Sequence, residues 1–150
     1  MNQAIKIKPD FIQAYNSRGH LLVELNQLDA ALENFNKAIE INPNFAEAYN
    51  NRGNILNKLN RYTESIESYD KAISINSHSS EYFLNRGNAH RNLYQLEAAI
   101  RDYDKSIELN SDVSESYLAR ATARHLRKDL IQAVVDYGMA ISINPEYAEA

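Results

Sequence analysis

Within the segment 46–79, apolar side chains fall at helical steps in two consecutive blocks. Ala48, Tyr49, Gly53, Ile55, Leu56 and Leu59 are spaced three and four residues apart, which sets them on one stripe of an α-helix. After a short polar corner at Leu59-Asn60-Arg61 the spacing resumes with Tyr62, Ser65, Ile66, Tyr69, Ala72, Ile73 and Ile75 and predicts a second helix. Asn76 with Ser77, or Pro43 one period earlier, punctuates the exit. The small residues Gly53, Ser65 and Ala72 leave room for the two helices to approach, and Tyr49 and Tyr69 are expected to fill the space opposite.

This two-helix layout recurs with a period of 34 residues. The segments FNKAIEIN (35–42), YDKAISIN (69–76), YDKSIELN (103–110) and YGMAISIN (137–144) are one period apart. Tyr15, Tyr49, Phe83 and Tyr117 keep the same interval, as do Gly19, Gly53, Gly87 and Ala121. Four whole repeats therefore run 12–45, 46–79, 80–113 and 114–147, all in one domain. Residues 1–11 match the end of a repeat and 148–150 the start of one, so the chain is expected to be a piece of a longer array. Two antiparallel helices of about a dozen residues cannot be stable alone, and only a stacked neighbour covers their apolar surface. The expected fold class is an all-α solenoid of antiparallel helix pairs.

These residues resemble the tetratricopeptide repeat family, whose 34-residue motif sets an aromatic, Gly, Ala, aromatic, Ala and Pro at fixed intervals. In the first repeat those are Tyr15, Gly19, Ala31, Phe35, Ala38 and Pro43. Departures are Ser65 for the first Ala, Ser106 for the second, Ala121 for Gly, and Ser77 and Ser111 for Pro. The resemblance implies a right-handed superhelix whose first helices line a concave groove for extended or helical peptides. It implies a scaffold with no catalytic role.

The face of the first helix opposite the apolar stripe is polar, with Glu47, Asn50, Asn51, Asn54, Asn57 and Lys58 in the second repeat. Counterparts are Gln13, Asn16 and His20 in the first repeat, Glu81, Asn85, Asn88 and Arg91 in the third, and Glu115, Thr122 and His125 in the fourth. A side-chain amide both donates and accepts, so a row of Asn can pair with successive peptide groups whatever the ligand's side chains. The row is similar to that of O-linked N-acetylglucosamine transferases at Asn51 and Asn85, and Ser17 and Ala119 interrupt it at both ends. A second family mode, a clamp for chaperone carboxylate tails, fits only at Asn54 and Asn85: Asn50 replaces its Lys, and Glu115 and Ala119 its basic pair. The carboxylates Glu47, Glu81 and Glu115 repel acidic tails, so neutral or basic segments are the expected ligands.

Arg18, Arg52, Arg86 and Arg120 recur once per repeat beside the apolar stripe. A guanidinium placed there needs a partner, and second-helix acids including Asp70 and Asp104 are the expected ones. Glu33 with Lys37 and Glu67 with Lys71 are spaced as i,i+4 ion pairs, whereas the fourth repeat has Val135 and Met139 there. With Val134, Ile141 and Ile143 they mark a terminal docking face for a partner, a second copy or a following helix. Gly138 lies midway along that helix.

Composition narrows the remaining classes. The chain of 150 residues is 44% hydrophobic and 24% charged with a net charge of −4, and no stretch approaches a membrane span or a secretory signal. Its Lys and Arg are scattered among carboxylates, against a nucleic-acid partner. Cysteine is absent, which removes disulfides and thiolate chemistry and suits a reducing or an oxidising compartment, and a cytoplasmic location is expected. His20, His78, His90 and His125 lack zinc spacing, so no metal or other cofactor is expected. Asn, eighteen of 150, is too abundant to ignore. The leading expectation is a non-catalytic module holding a peptide in an Asn-rich groove. The alternatives are self-assembly through terminal helices, or a substrate-recruiting arm of a larger enzyme such as a glycosyltransferase.

Overall fold

The computed structural model describes residues 9–148. Eight α-helices follow in order: α1 (Pro9–Glu24), α2 (Leu28–Ile41), α3 (Ala46–Lys58), α4 (Tyr62–Ile75), α5 (Ser80–Asn92), α6 (Leu96–Leu109), α7 (Ser114–Leu126) and α8 (Leu130–Ile143). A 3-10 turn at Pro145–Ala148 packs on α8, and there is no strand among the described residues. The chain divides into two compact halves, Met1–Asn76 and Ser77–Ala150. In the N-terminal half α1 packs on α2, α2 on α3 and α3 on α4; in the C-terminal half α5 packs on α6, α6 on α7 and α7 on α8.

The corner inside each pair has one geometry. Asn26, Asn60, Tyr94 and Lys128 take the left-handed conformation, with φ of 57°, 59°, 60° and 76°. Each closes a Schellman motif: in the second repeat Asn60 N–H donates to the Asn57 carbonyl at 3.0 Å and Arg61 N–H to that of Leu56 at 2.8 Å. Second helices end at Asn42, Asn76, Asn110 and Asn144, all extended. The Oδ1 atoms of Asn42, Asn110 and Asn144 accept the backbone N–H two residues on, at 3.0–3.1 Å, which turns the chain without glycine.

The core of each pair rests on a glycine facing an aromatic ring. A Cβ on Gly19, Gly53 or Gly87 would stand 2.5–2.6 Å from the nearest ring atom of Phe35, Tyr69 or Tyr103. Only a hydrogen fits there, and the three rings are almost completely buried. Ser65 Oγ donates to the Gly53 carbonyl at 2.8 Å, so the departure from Ala at that position gains a bond between α3 and α4. Phe35 joins Ala31 and Ile55 in the N-terminal core, flanked by Leu22, Val23, Leu28, Leu32 and Leu59. Tyr103 joins Ala99, Ile100, Ala119 and Ala123 in the C-terminal one.

The first helix begins at Pro9, because proline lacks only an N–H that no first turn uses and its fixed φ suits that turn; residues 1–8 and 149–150 of the expected flanks lie outside the described residues. Two expectations are corrected. Tyr49 does not fill the gap beside Gly53, since Tyr69 does; it lies under the Arg52 guanidinium, 5.2 Å from centroid to Cζ. Lys37 bonds Glu40 at 2.7 Å, three residues on, in place of Glu33. That bond raises the Lys37 pKa.

Candidate binding surfaces

The polar face of the first helices is partly committed to the protein itself. In the N-terminal half, Asn51 Nδ2 on α3 donates to Asn16 Oδ1 on α1 at 2.9 Å and reaches His20 Nε2 at 3.0 Å. Asn16 Nδ2 donates in turn to Glu47 Oε1 at 2.7 Å. Asn16 and Asn51 are buried, while His20 and Glu47 are exposed, so the cluster shows solvent one acidic and one imidazole edge. Asn50 is also buried and Asn57 half-buried. Asn51 is therefore a rung between α1 and α3, not a donor standing in open solvent.

Asn54 and Asn88 behave differently, and alike. Asn54 Oδ1 accepts the Tyr69 hydroxyl at 2.7 Å, and Asn88 Oδ1 accepts the Tyr103 hydroxyl at 2.9 Å. Both side chains are half-buried and neither makes a further bond among the described residues. Each tyrosine thus holds the amide by its oxygen and leaves the Nδ2 donors without a bond among the described residues. Burial pushes the Tyr103 hydroxyl pKa up, so it stays protonated and donating at any physiological pH. Asn85 Nδ2 lies 3.5 Å from Glu81 Oε1. Arg91 is half-buried, and His125, in the last turn of α7, is exposed.

The arginine ladder is structural, as expected, with one partner position that sequence reasoning missed. Each guanidinium lies over the aromatic three residues earlier, at 5.2–5.5 Å: Arg18 on Tyr15, Arg52 on Tyr49, Arg86 on Phe83 and Arg120 on Tyr117. Each Nε donates to the residue sixteen positions on, which is Asn34, Ser68, Asp102 or Asp136. The expected partner Asp104 does hold Arg120, at 2.6 Å. The sixteen-residue offset from Arg to Asp is readable in the last two repeats alone, because the first two have Asn and Ser there.

The expected terminal face is open: Val135 and Met139 are exposed together with Leu130, Ile131, Val134 and Ile141, and Ile131 reaches 80%. A Cβ on Gly138 would meet nothing within 4 Å. Among the described residues no helix is long and apolar enough to cross a membrane, and no group of three or more His, Asp or Glu is placed to hold a metal ion.

The helix pairs, the 34-residue spacing and the glycine–aromatic contacts accord with the family comparison. Profiles of one family match three times: one described as TPR repeat over residues 19–59, and two described as Tetratricopeptide repeat over 46–79 and 80–113. The chain belongs to the tetratricopeptide repeat family. Its fold class is the all-α solenoid of helix pairs. Among solved structures, the crystal structure of MamA aligns with a TM-score of 0.84 at 18% identity, over 99% of this chain and 86% of that one. YrrB, described as a TPR protein with an unusual peptide-binding site, aligns at 0.76 and 24% identity over 90% and 70%. The first TPR of Spaghetti (RPAP3), bound to the HSP90 peptide SRMEEVD, aligns at 0.78 and 18% over 81% and 97%. At such identities the tetratricopeptide likeness is one of fold. No curated protein matches the sequence.

Proposed function

We propose that this tetratricopeptide repeat chain is a non-catalytic protein-interaction module that binds a peptide segment along its first helices. Asn54 on α3 and Asn88 on α5, each within its own half, carry the reading: each amide is held by a buried tyrosine hydroxyl and makes no further bond among the described residues, which leaves its donors preorganised for a peptide carbonyl at little cost in side-chain entropy. Both fold neighbours described as peptide-binding support the same class of ligand. Glu47, Glu81 and Glu115 are exposed on first helices and favour a neutral or basic segment. Asn16, His20, Asn50, Asn51, Asn57, Asn85, Arg91 and His125 then act as framing residues of the surface more than as its donors, and a cytoplasmic setting accords with this role.

The test uses a peptide selected on the wild-type chain from a random library. Asn54→Asp with Asn88→Asp keeps the oxygen that each tyrosine needs and removes the Nδ2 donors. Affinity is expected to fall at least tenfold, or about 1.4 kcal/mol, with an unchanged circular dichroism spectrum. Equal binding by the double variant refutes the assignment.

Self-association is a second reading, with a second copy of this chain as the occupant of the α8 face. In the N-terminal half Leu28 and Leu32 of α2 pack in the cluster that holds Ile55 and Leu59 of α3. Three repeats on, the α2 positions are Leu130 and Val134 on α8, and one repeat back the α3 positions are Leu21 and Leu25 on α1, all exposed, with Leu21 at 58% and Leu25 at 66%. The α8 of one copy on the α1 of the next would rebuild the α2·α3 joint. Sedimentation should show oligomers that Val134→Glu returns to monomers; a wild-type monomer at high concentration ends this reading.

A further inference from the structure

The Arg52 position in the N-terminal half differs from its C-terminal counterpart by two missing carboxylates. Arg120 is gripped on both sides: its Nε and Nη2 donate to Asp136 at 2.9 and 2.6 Å, and its Nη1 donates to Asp104 at 2.6 Å. These acids stand sixteen residues after and sixteen before the arginine. At Arg52 the same two offsets hold Ser68 and Asn36. The guanidinium keeps only its Nε bond to Ser68 Oγ, at 3.0 Å, and its seat on the Tyr49 ring; its Nη atoms have no partner among the described residues.

The substituted side chains are shorter or uncharged, and a cavity of about 260 Å3 opens where they stand, lined by Asn36, Arg52 and Ser68 with Leu32, Leu56 and Arg61. Glu64 and Glu67 also reach it. Glu64 is held by both Arg61 Nε and Nη2, at 2.7 and 2.6 Å, which keeps its carboxyl below the usual range and engaged elsewhere. Glu67 is exposed, and both it and Glu64 act on Arg52 only through space, without a bond to its guanidinium. Desolvation lowers the Arg52 pKa, whereas at Arg120 the bonds to Asp136 and Asp104 outweigh burial and raise it. A cation that is half-buried, stacked and short of a counter-ion favours whichever anion can enter beside it.

We infer that the cavity at Arg52 is a receptor for one carboxylate of a protein partner, an Asp or Glu side chain supplying in trans what Asp136 and Asp104 supply to Arg120 in cis. Arg52 lies two residues before Asn54 and so points about 200° away from it around α3. The pocket is thus separate from the proposed peptide surface, and the assignment stands or falls without it.

The experiment follows the Arg Nε–H resonances of the full chain by 1H–15N NMR during titration with acetate, with the amide-capped aspartate Ac-Asp-NH2, and with chloride at equal ionic strength. Acetate and Ac-Asp-NH2 should both shift the Arg52 signal saturably, with half-saturation at roughly millimolar concentrations, and leave the Arg120 signal in place. Ser68→Asp fills the site from within and should weaken acetate at least tenfold while raising Tm. Asn36→Asp, at a more accessible position, should also weaken acetate and serves if Ser68→Asp does not fold. A linear response, an equal shift by chloride, or undiminished acetate binding by the Asp variants overturns the site. Binding of acetate without Ac-Asp-NH2 overturns the side-chain assignment.

Discussion

The two halves secure one arginine position by different means. In the C-terminal half Arg86 and Arg120 bond the carboxylates of Asp102 and Asp136, and Arg124 shares Asp136 at 2.7 Å. In the N-terminal half Arg18 and Arg52 bond the neutral oxygens of Asn34 and Ser68. The aromatic seat and the Nε bond are common to all four, so the stacked guanidinium is the constant of the repeat and the carboxylate an addition. The corners reverse the advantage: the N-terminal half uses Asn26 and Asn60 in the left-handed conformation, which Asn tolerates, and the C-terminal half uses Tyr94 and Lys128, which are strained there.

Removing an added carboxylate is the most severe way to break this contrast. Asp136→Ala leaves the mostly buried Arg120 and Arg124 without their shared counter-ion, and should lower stability by about 3–5 kcal/mol in urea unfolding. Ser68→Ala, at the matching place beside Arg52, should cost only about 1 kcal/mol. Equal losses would mean that the carboxylates are not what distinguishes the halves.

Next in size is the steric contact the halves share. Gly53→Ala and Gly87→Ala each drive a methyl into a tyrosine ring and should cost roughly 1–3 kcal/mol. Gly138→Ala meets open space and should gain about 1 kcal/mol.

Tyr103→Phe tests the hydroxyl that Phe35 lacks in the first repeat, and should cost about 1 kcal/mol at neutral pH through the lost Asn88 bond. Burial raises the Tyr103 pKa from 10.0, so stability from this group is complete below pH 10. It is lost as pH rises further, because the unfolded chain ionises while the folded one remains protonated. The variant should therefore show a shallower alkaline decline in Tm than the parent.

The smallest effect sharpens the corner comparison. Lys128→Gly should stabilise by about 1 kcal/mol, and Asn60→Gly should change stability by only a few tenths. A thermal melt that ranks them the other way would show that the left-handed corners are not a source of strain.

The helices and their stacking were legible because both depend on periodicity, which a sequence displays directly. The use of asparagine was not. Asn51 reads as one donor of a ligand-facing row, but a helical face says nothing of what a neighbouring helix offers, and α1 offers Asn16 and His20. Asn26 and Asn60 serve the corners, Asn42, Asn110 and Asn144 the helix exits, Asn34 an arginine, and Asn54 and Asn88 the tyrosines. An amide suits each place for a different reason, and composition merges them. Asp104 was legible as a partner of an arginine, but the partner sixteen residues after each arginine stayed hidden because that offset crosses a corner, where no helical rule applies.

Gly19, Gly53 and Gly87 each admit a ring from the following helix, whereas the fourth repeat has Ala121 opposite a half-buried Tyr137. Exchange between copies of the motif should accordingly depend on where the hairpin is cut: whole hairpins keep each ring with its own partner, whereas a crossover at the corner that joins α7 to α4 would bring a methyl against a ring seated for hydrogen.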